Sequence, residues 1–341
     1  MKAVVVHAAN DLRVAEVATP APGAEEVLVK MEWGGICGSD IAYVRSGISG
    51  TAVLREPLIL GHEVAGVVTE VGSAVKGVEI GAKAALFPAT CVGKYQLPEA
   101  LAGRNNLWPE VRYFGSAAFL PHEQGGFSTY RVVRPDQLRF LPDNVSTKVG
   151  AVAEPFAVAL HAMKRAGNIT GKRVLVNGAG PIGALSAAAA KAFGAKTVFV
   201  SDLSRTALQI AKKMGADETI NILQNESLPE DVEISIEASG APKALGTVIS
   251  ATRRGGTIVQ VGNLPAGEVS AALGNIVTRE IEYRGSYRFA DEMDLAIELL
   301  NREVDITPLQ THVFDLNQAK EAFSIAADRT TGSSKVMLKL S

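Results

Sequence analysis

The apolar positions of this chain follow one rhythm up to about Asp143 and a different one beyond it. The first part holds short β-branched runs, "KAVVVHA", "LRVAEV", "EVLVKMEW" and "VAGVVTEVG", separated by Gly, Pro and Asn, and this pattern predicts strands. Beyond it, helix-like "AEPFAVALHAMKRAG" is followed by strand "RVLVNG", helix "PIGALSAAAAKAFGA", strand "TVFVS" and helix "RTALQIAKKMGA". Then come strand "VEISIEA", helix "PKALGTVISATR" and strand "GTIVQVG". Strands that alternate with helices of about 10–15 residues predict a parallel, doubly wound α/β sheet. The tail, "IEYRGSYRF", helix "ADEMDLAIELLNR" and closing strand "KVMLKL", is too short to be a domain of its own. It is expected to pack back on the first part. The expected division is a discontinuous β-rich domain over 1–147 and 281–341 around a doubly wound domain over 148–280.

Composition narrows the function classes. A chain of 341 residues, 47% apolar and carrying 33 glycines, fits about two domains of a soluble α/β protein with many tight turns. A net charge of −2 gives no electrostatic reason to expect nucleic acid or an anionic membrane as partner. Two cysteines do not make a disulfide framework, which points to a reducing, cytoplasmic setting. "MKAVVVHAANDLRV" is too weakly apolar for a signal peptide, and no apolar run is long enough to span a bilayer.

"RVLVNGAGPIGALSA" places Gly178, Gly180 and Gly183 in a G-x-G-x-x-G between a predicted strand and a predicted helix, with Pro181 and Ile182 inside it. The first glycine permits the tight turn, the second lets backbone approach a pyrophosphate, and the third lets helix and strand pack closely. The helix N-terminus offers free N–H groups and partial positive charge to the phosphates. Asp202 ends the next strand, where a carboxylate can hold ribose hydroxyls. That favours NAD over NADP, while nearby Arg205 softens the choice. Val261 and Gly262 close the strand "GTIVQVG" and complete the expected dinucleotide site. A Gly-rich turn in an ordinary α/β domain is the plainer alternative.

"GGICGSD" places Cys37 among turn-forming residues, "LILGHEVAG" sets His62 beside Glu63, and "AVAEPF" puts Glu154 at a helix start. Cys, His and carboxylate are a three-ligand set for catalytic zinc, with a fourth position left for water or substrate. Taken singly, each has an ordinary explanation: a core thiol, a surface His–Glu pair, a helix start before Pro.

The stretch "GHEVAGVVTEVGSAV", preceded by "GICGSD" and followed by the Gly-rich turn, resembles the signature of the zinc-containing medium-chain alcohol dehydrogenases. "REPLILGHEVAG", "RYFGSA", "PHEQGGF", "AEPFAVALHA" and "RGSYRF" resemble the polyol, or sorbitol, branch and within it the L-idonate 5-dehydrogenases. The resemblance covers essentially the whole chain. It implies a β-rich GroES-like catalytic domain beside a Rossmann domain, one zinc ion per chain, and NAD as cofactor with NADP as the alternative. It implies Cys37, His62 and Glu63 as zinc ligands, and Glu154 as a carboxylate that ligates zinc or holds its water. Ser39 would take the proton of the alcohol, and Asp40 would orient His62. Tyr43, Phe114 and Arg288 would line the substrate pocket, with Arg112 a further candidate for a substrate carboxylate. A homodimer or homotetramer built through edge strands of the cofactor domain is implied, and the substrate is a polyol or sugar acid.

Two departures qualify this. The segment that in many relatives carries four cysteines for a structural zinc holds only Cys91, so no structural zinc is expected. Ala42 stands where several relatives have a proton-relaying His. Zinc-free reductases of the same fold, and a nucleotide-binding protein without turnover, are the competing readings.

Overall fold

The computed structural model describes every residue except Ala266. The chain forms two units, Met1–Glu154 with Gln310–Ser341, and Pro155–Leu309.

In the first unit the strand Val27–Gly35 organises a seven-stranded sheet. It pairs antiparallel with Glu63–Val71, Tyr130–Val133 and Lys335–Lys339. Val27, Leu28, Val29 and Met31 are buried, as the β-branched run predicts. The last segment joins this unit because Lys335–Lys339 zips onto Trp33–Gly35 and sends Phe323, Val336, Leu338 and Leu340 into the core with Met31, Leu60 and Phe127. Each such side chain contributes up to about 1.5–3 kcal/mol by leaving water. Strand register also sets one detail of the site: Gly35 lies opposite Glu63.

The second unit is a six-stranded, wholly parallel sheet. Its order across the sheet is Glu218–Asn221, Thr197–Asp202, Arg173–Asn177, Val232–Glu237, Thr252–Gln260 and Glu282–Gly285. Numbered along the chain this is 3-2-1-4-5-6, the dinucleotide-binding order, with its switch point between Arg173–Asn177 and Val232–Glu237. Val174, Leu175 and Val176 are all fully buried, as expected for a central strand covered on both faces.

Both expected boundaries differ, the first slightly: the β-rich unit runs to Glu154 rather than 147. The stretch 281–309 was expected with the β-rich domain, and it lies in the second unit. The cause is strand pairing: Glu282–Gly285 adds in parallel to Thr252–Gln260, and the helix Met293–Arg302 that follows buries Met293, Ala296 and Ile297. Only Gln310 onward returns to the first unit. Among the described residues no helix is long and apolar enough to cross a membrane.

Candidate metal centre

Three ligand atoms, one each from Cys37, His62 and Glu63, lie within 4.8 Å of one another. Chain geometry brings them there. The central strand ends at Gly35, and Cys37 becomes the N-cap of the helix Gly38–Ser46. Gly61 adopts φ +96°, a turn open mainly to glycine, and delivers His62 just before the strand that Glu63 begins. Asp40, fully buried, ties the two segments together: its carboxylate accepts the N–H of Cys37 at 3.0 Å and of Gly61 at 3.2 Å. The expected orienting bond to His62 is not made, since Nδ1 stands 3.9 Å from Asp40 Oδ1. Asp40 therefore acts on the ligands through their backbone.

The field in this pocket is negative. Burial alone would lower the basicity of His62, but Cys37 and Asp40 outweigh it and push the imidazole up to about 10. Glu63 is 1% exposed. Its Oε1 accepts a hydrogen bond from buried Lys335 Nζ at 2.7 Å, and Lys335 also donates to the Ile36 carbonyl at 3.2 Å. Burial works against the charge of Lys335, and Glu63 and Cys37 reverse that, keeping it above the usual lysine range. Glu63 Oε2 is buried and has no hydrogen-bond partner. An orphaned carboxylate oxygen is costly unless something cationic meets it. With sulfur and imidazole beside it, the donor set fits a divalent zinc ion. A Cβ at Gly35 would come within 2.3 Å of that same Oε2, so the glycine leaves the room the carboxylate occupies.

Glu154 stands outside the three-residue group. Tyr113 donates its hydroxyl to Glu154 Oε1 at 2.5 Å, and the Tyr113 ring meets His62 edge-on with centroids 5.6 Å apart. Burial pushes the Glu154 carboxyl above its ordinary range, against the pull of His62.

In the second unit Gly178 takes φ +97° after the strand Arg173–Asn177, and Gly180 caps the helix Pro181–Ala192. A Cβ at Gly183 would overlap the Gly178 carbonyl at 1.7 Å, whereas one at Gly180 would meet nothing within 4 Å. The third glycine thus serves packing, and the second faces open space that a pyrophosphate can enter. Asp202 braces the turn, accepting from Ala179 N at 2.6 Å and Ser204 N at 2.8 Å. Ile182 lies on the first turn of that helix, and Arg205 is exposed at the start of the next. Val261 and Gly262 both donate their N–H to the Glu237 carbonyl, at 2.9 and 2.8 Å.

The alcohol dehydrogenase GroES-like domain matches residues 23–143, and the zinc-binding dehydrogenase domain matches 181–302. The sorbitol dehydrogenase of Gallus gallus is 39% identical over 99% of this chain and 96% of its own length. The L-idonate 5-dehydrogenase of Escherichia coli superposes with a TM-score of 0.93 at 33% identity, over 99% of this chain and 97% of that one. An alcohol dehydrogenase of Escherichia coli CFT073, solved with NADH, superposes at 0.87 with 27% identity over 99% of both chains. This chain is a zinc-dependent medium-chain alcohol dehydrogenase of the polyol branch.

For a member of this family the remaining expected residues take unequal positions. Ser39 lies half-buried on the first helical turn after Cys37. Tyr43 is buried, its hydroxyl accepting the Ala117 N–H at 3.0 Å. Phe114 is buried in the core under the Arg131 guanidinium, 3.7 Å from the ring centroid. Arg112 is engaged by its own surroundings, donating to Glu110 at 3.0 Å and to the carbonyls of Pro121 and Leu120 at 2.9 and 3.2 Å. Arg288 sits in the second unit at φ +51°, beside the Tyr287 ring. Tyr113 and Lys335 went unnoticed in the sequence. Lys335 bonds a residue 272 positions away, and no local pattern marks such a pairing.

Proposed function

We propose that this enzyme interconverts a secondary alcohol of a sugar acid and its ketone with NAD, the substrate being L-idonate and the product 5-keto-D-gluconate. The observation that carries the reading is the Cys37–His62–Glu63 group, with Cys37 half-buried and His62 and Glu63 buried, and its unpartnered carboxylate oxygen. When bound there, Zn²⁺ supplies the Lewis acidity that makes an alcohol hydroxyl ionisable near neutral pH. Cys37, His62 and Glu63 would hold it. Lys335 holds one oxygen of Glu63 and so leaves the other to the ion. Glu154, fixed by Tyr113, stands by as the carboxylate that holds water or exchanges into the ligand set. Ser39 receives the hydroxyl proton and passes it to water, since Ala42 offers no relay. A bound nicotinamide would supply the hydride acceptor for the same carbon. The turn at Gly178, Gly180, Pro181, Ile182 and Gly183, with Val261 and Gly262, receives the dinucleotide. Asp202 accepts from the ribose hydroxyls and disfavours a 2′-phosphate, Arg205 tempering that preference. A cytoplasmic homotetramer or homodimer is the assembly the resemblance supports.

The aldonate carboxylate needs a cation, and Arg288 is assigned that contact. Tyr43 and Phe114 shape the pocket wall. The second reading, a sorbitol- or xylitol-type polyol dehydrogenase, is favoured by the capture of Arg112 in loop contacts, which removes one of two candidate cations. Turnover of L-idonate, sorbitol and xylitol with NAD and NADP separates the readings. Arg288→Ala is expected to cut kcat/KM for L-idonate by about 10–100-fold and for sorbitol far less, the difference expected for a lost charge-assisted pair. Equal losses remove the carboxylate role, and activity confined to polyols selects the second reading.

A further inference from the structure

Five of the six strands of the parallel sheet contribute to one row of hydrogen-bonded side chains. Ser201 Oγ donates to Asn177 Oδ1 at 2.9 Å, and Asn177 Nδ2 to Glu237 Oε1 at 3.0 Å. From the other side Tyr283 donates to Gln260 Oε1 at 2.7 Å, and Gln260 Nε2 to Glu237 Oε2 at 2.6 Å. Register aligns the central four, Ser201 opposite Asn177, Asn177 opposite Glu237, Glu237 opposite Gln260. The row converges on one carboxylate, which is 1% exposed, and the amide nitrogens of Asn177 and Gln260 also donate to Ser239 Oγ at 3.3 Å and to the Gly262 carbonyl at 2.7 Å. Glu237 also accepts the backbone N–H of Ser239 on Oε1 at 3.0 Å and of Gly240 on Oε2 at 3.1 Å, and the Ser239 hydroxyl. These donors are all neutral.

The row lies where the sheet reverses its order, and Asn177 and Glu237 face each other across that switch point. Ligands of such sheets bind just beyond the strand ends there. The three turns that follow the row are in backbone contact. A Cβ at Gly178 would lie 2.7 Å from Ser239 N, and one at Gly262 would lie 2.4 Å from Gly240 N. Displacing one turn therefore displaces the others.

We propose that ionised Glu237 is a positioning residue for the dinucleotide: it fixes both flanking amides and holds the turns 178–180, 238–240 and 261–263 at the spacing the cofactor requires. This rests on the reading that the Gly178–Gly183 turn binds NAD(H). A carboxylate is required because each of its oxygens accepts a backbone N–H, and backbone donors cannot reverse. A glutamine would leave one of those N–H groups facing an NH₂. A flip of Asn177 or Gln260 would only pass the mismatch outward.

The test is NADH titration calorimetry together with amide exchange in the cofactor-free chain. Glu237→Gln is expected to weaken NADH by about tenfold or more, the scale of one buried N–H left unmet, and to speed exchange at 238–240 and 261–263. Ser235→Ala, on the same strand as Glu237, removes a buried 2.8 Å bond to Thr252 Oγ1 on the neighbouring strand and is expected to leave affinity unchanged. If Glu237→Gln does not fold, Gln260→Leu removes one donor to Oε2, which Gly240 still satisfies, together with the bond to the Gly262 carbonyl. Its expected outcome is severalfold weaker NADH and faster exchange both at 261–263, which lose that bond directly, and at 238–240, which are reached through Glu237. Folded Glu237→Gln or Gln260→Leu protein that binds NADH like the parent overturns the proposal, as does unchanged exchange at these turns. A parent chain that binds no NADH instead sinks the dinucleotide reading, and exchange still decides the role of Glu237 in the turns.

Discussion

Glu63 and Glu237 are each 1% exposed, and they are neutralised in opposite ways. Glu63 has a lysine on one oxygen and nothing on the other. Glu237 has no lysine or arginine, yet both its oxygens are filled by amide and hydroxyl donors. The difference separates two uses of a buried charge. A saturated carboxylate organises backbone around itself. A half-saturated one retains bonding capacity that only an incoming ligand completes. The parallel unit carries the first kind, and the β-rich unit carries the second beside Cys37 and His62.

The largest expected effect falls on the metal side. Cys37→Ser or His62→Ala should reduce zinc, measured by atomic emission, from one ion per chain to a small fraction and turnover by about a thousandfold or more, with NADH affinity retained. The contrast holds if Glu237→Gln shows the reverse pattern, zinc kept and NADH weakened; parallel losses in both would erase it. Lys335→Met comes next. It strands Glu63 as an unpaired buried charge, and in zinc-free protein about 3–5 kcal/mol of stability should disappear in denaturant titration. Adding Glu63→Gln should restore most of it. Asp202→Asn should raise the ratio of NADP to NAD usage by about tenfold, read from kcat/KM, because the charge opposing a 2′-phosphate is gone.

The smallest effect is on acid stability. Glu292 is buried, and although burial alone would raise its carboxyl, hydrogen bonds from His161 and the Ala290 N–H bring it from 4.5 down to about 2. A depressed folded-state value stabilises above the unfolded value and is lost as pH falls through the folded one. The stabilisation should be complete above about pH 5 and vanish between there and pH 2. Glu292→Gln should lower Tm by a few degrees near neutrality and flatten the acid limb.

Much of this architecture was legible in the chain. Period and turn residues marked the strand–helix alternation, and the spacing of Gly178, Gly180 and Gly183 marked the dinucleotide turn, because those constraints act over neighbouring residues. The boundary near 281 was misplaced because "IEYRGSYRF" reads as a strand but does not say which sheet accepts it. Lys335, Tyr113 and the Glu237 row leave no local signal: Lys335 and the row depend on strand register between distant segments, and Tyr113 on a contact with a helix start 41 residues on. Arg112 looked available as a free cation, and only its three contacts reveal that it is occupied.

Gly35 has a consequence for how this metal site can change over time. Since even a methyl group there meets Glu63 Oε2, substitution at 35 forces the end of the Glu63 side chain away from the place where Lys335 holds it. The two positions are expected to change together, residue 63 giving way when residue 35 gains a side chain.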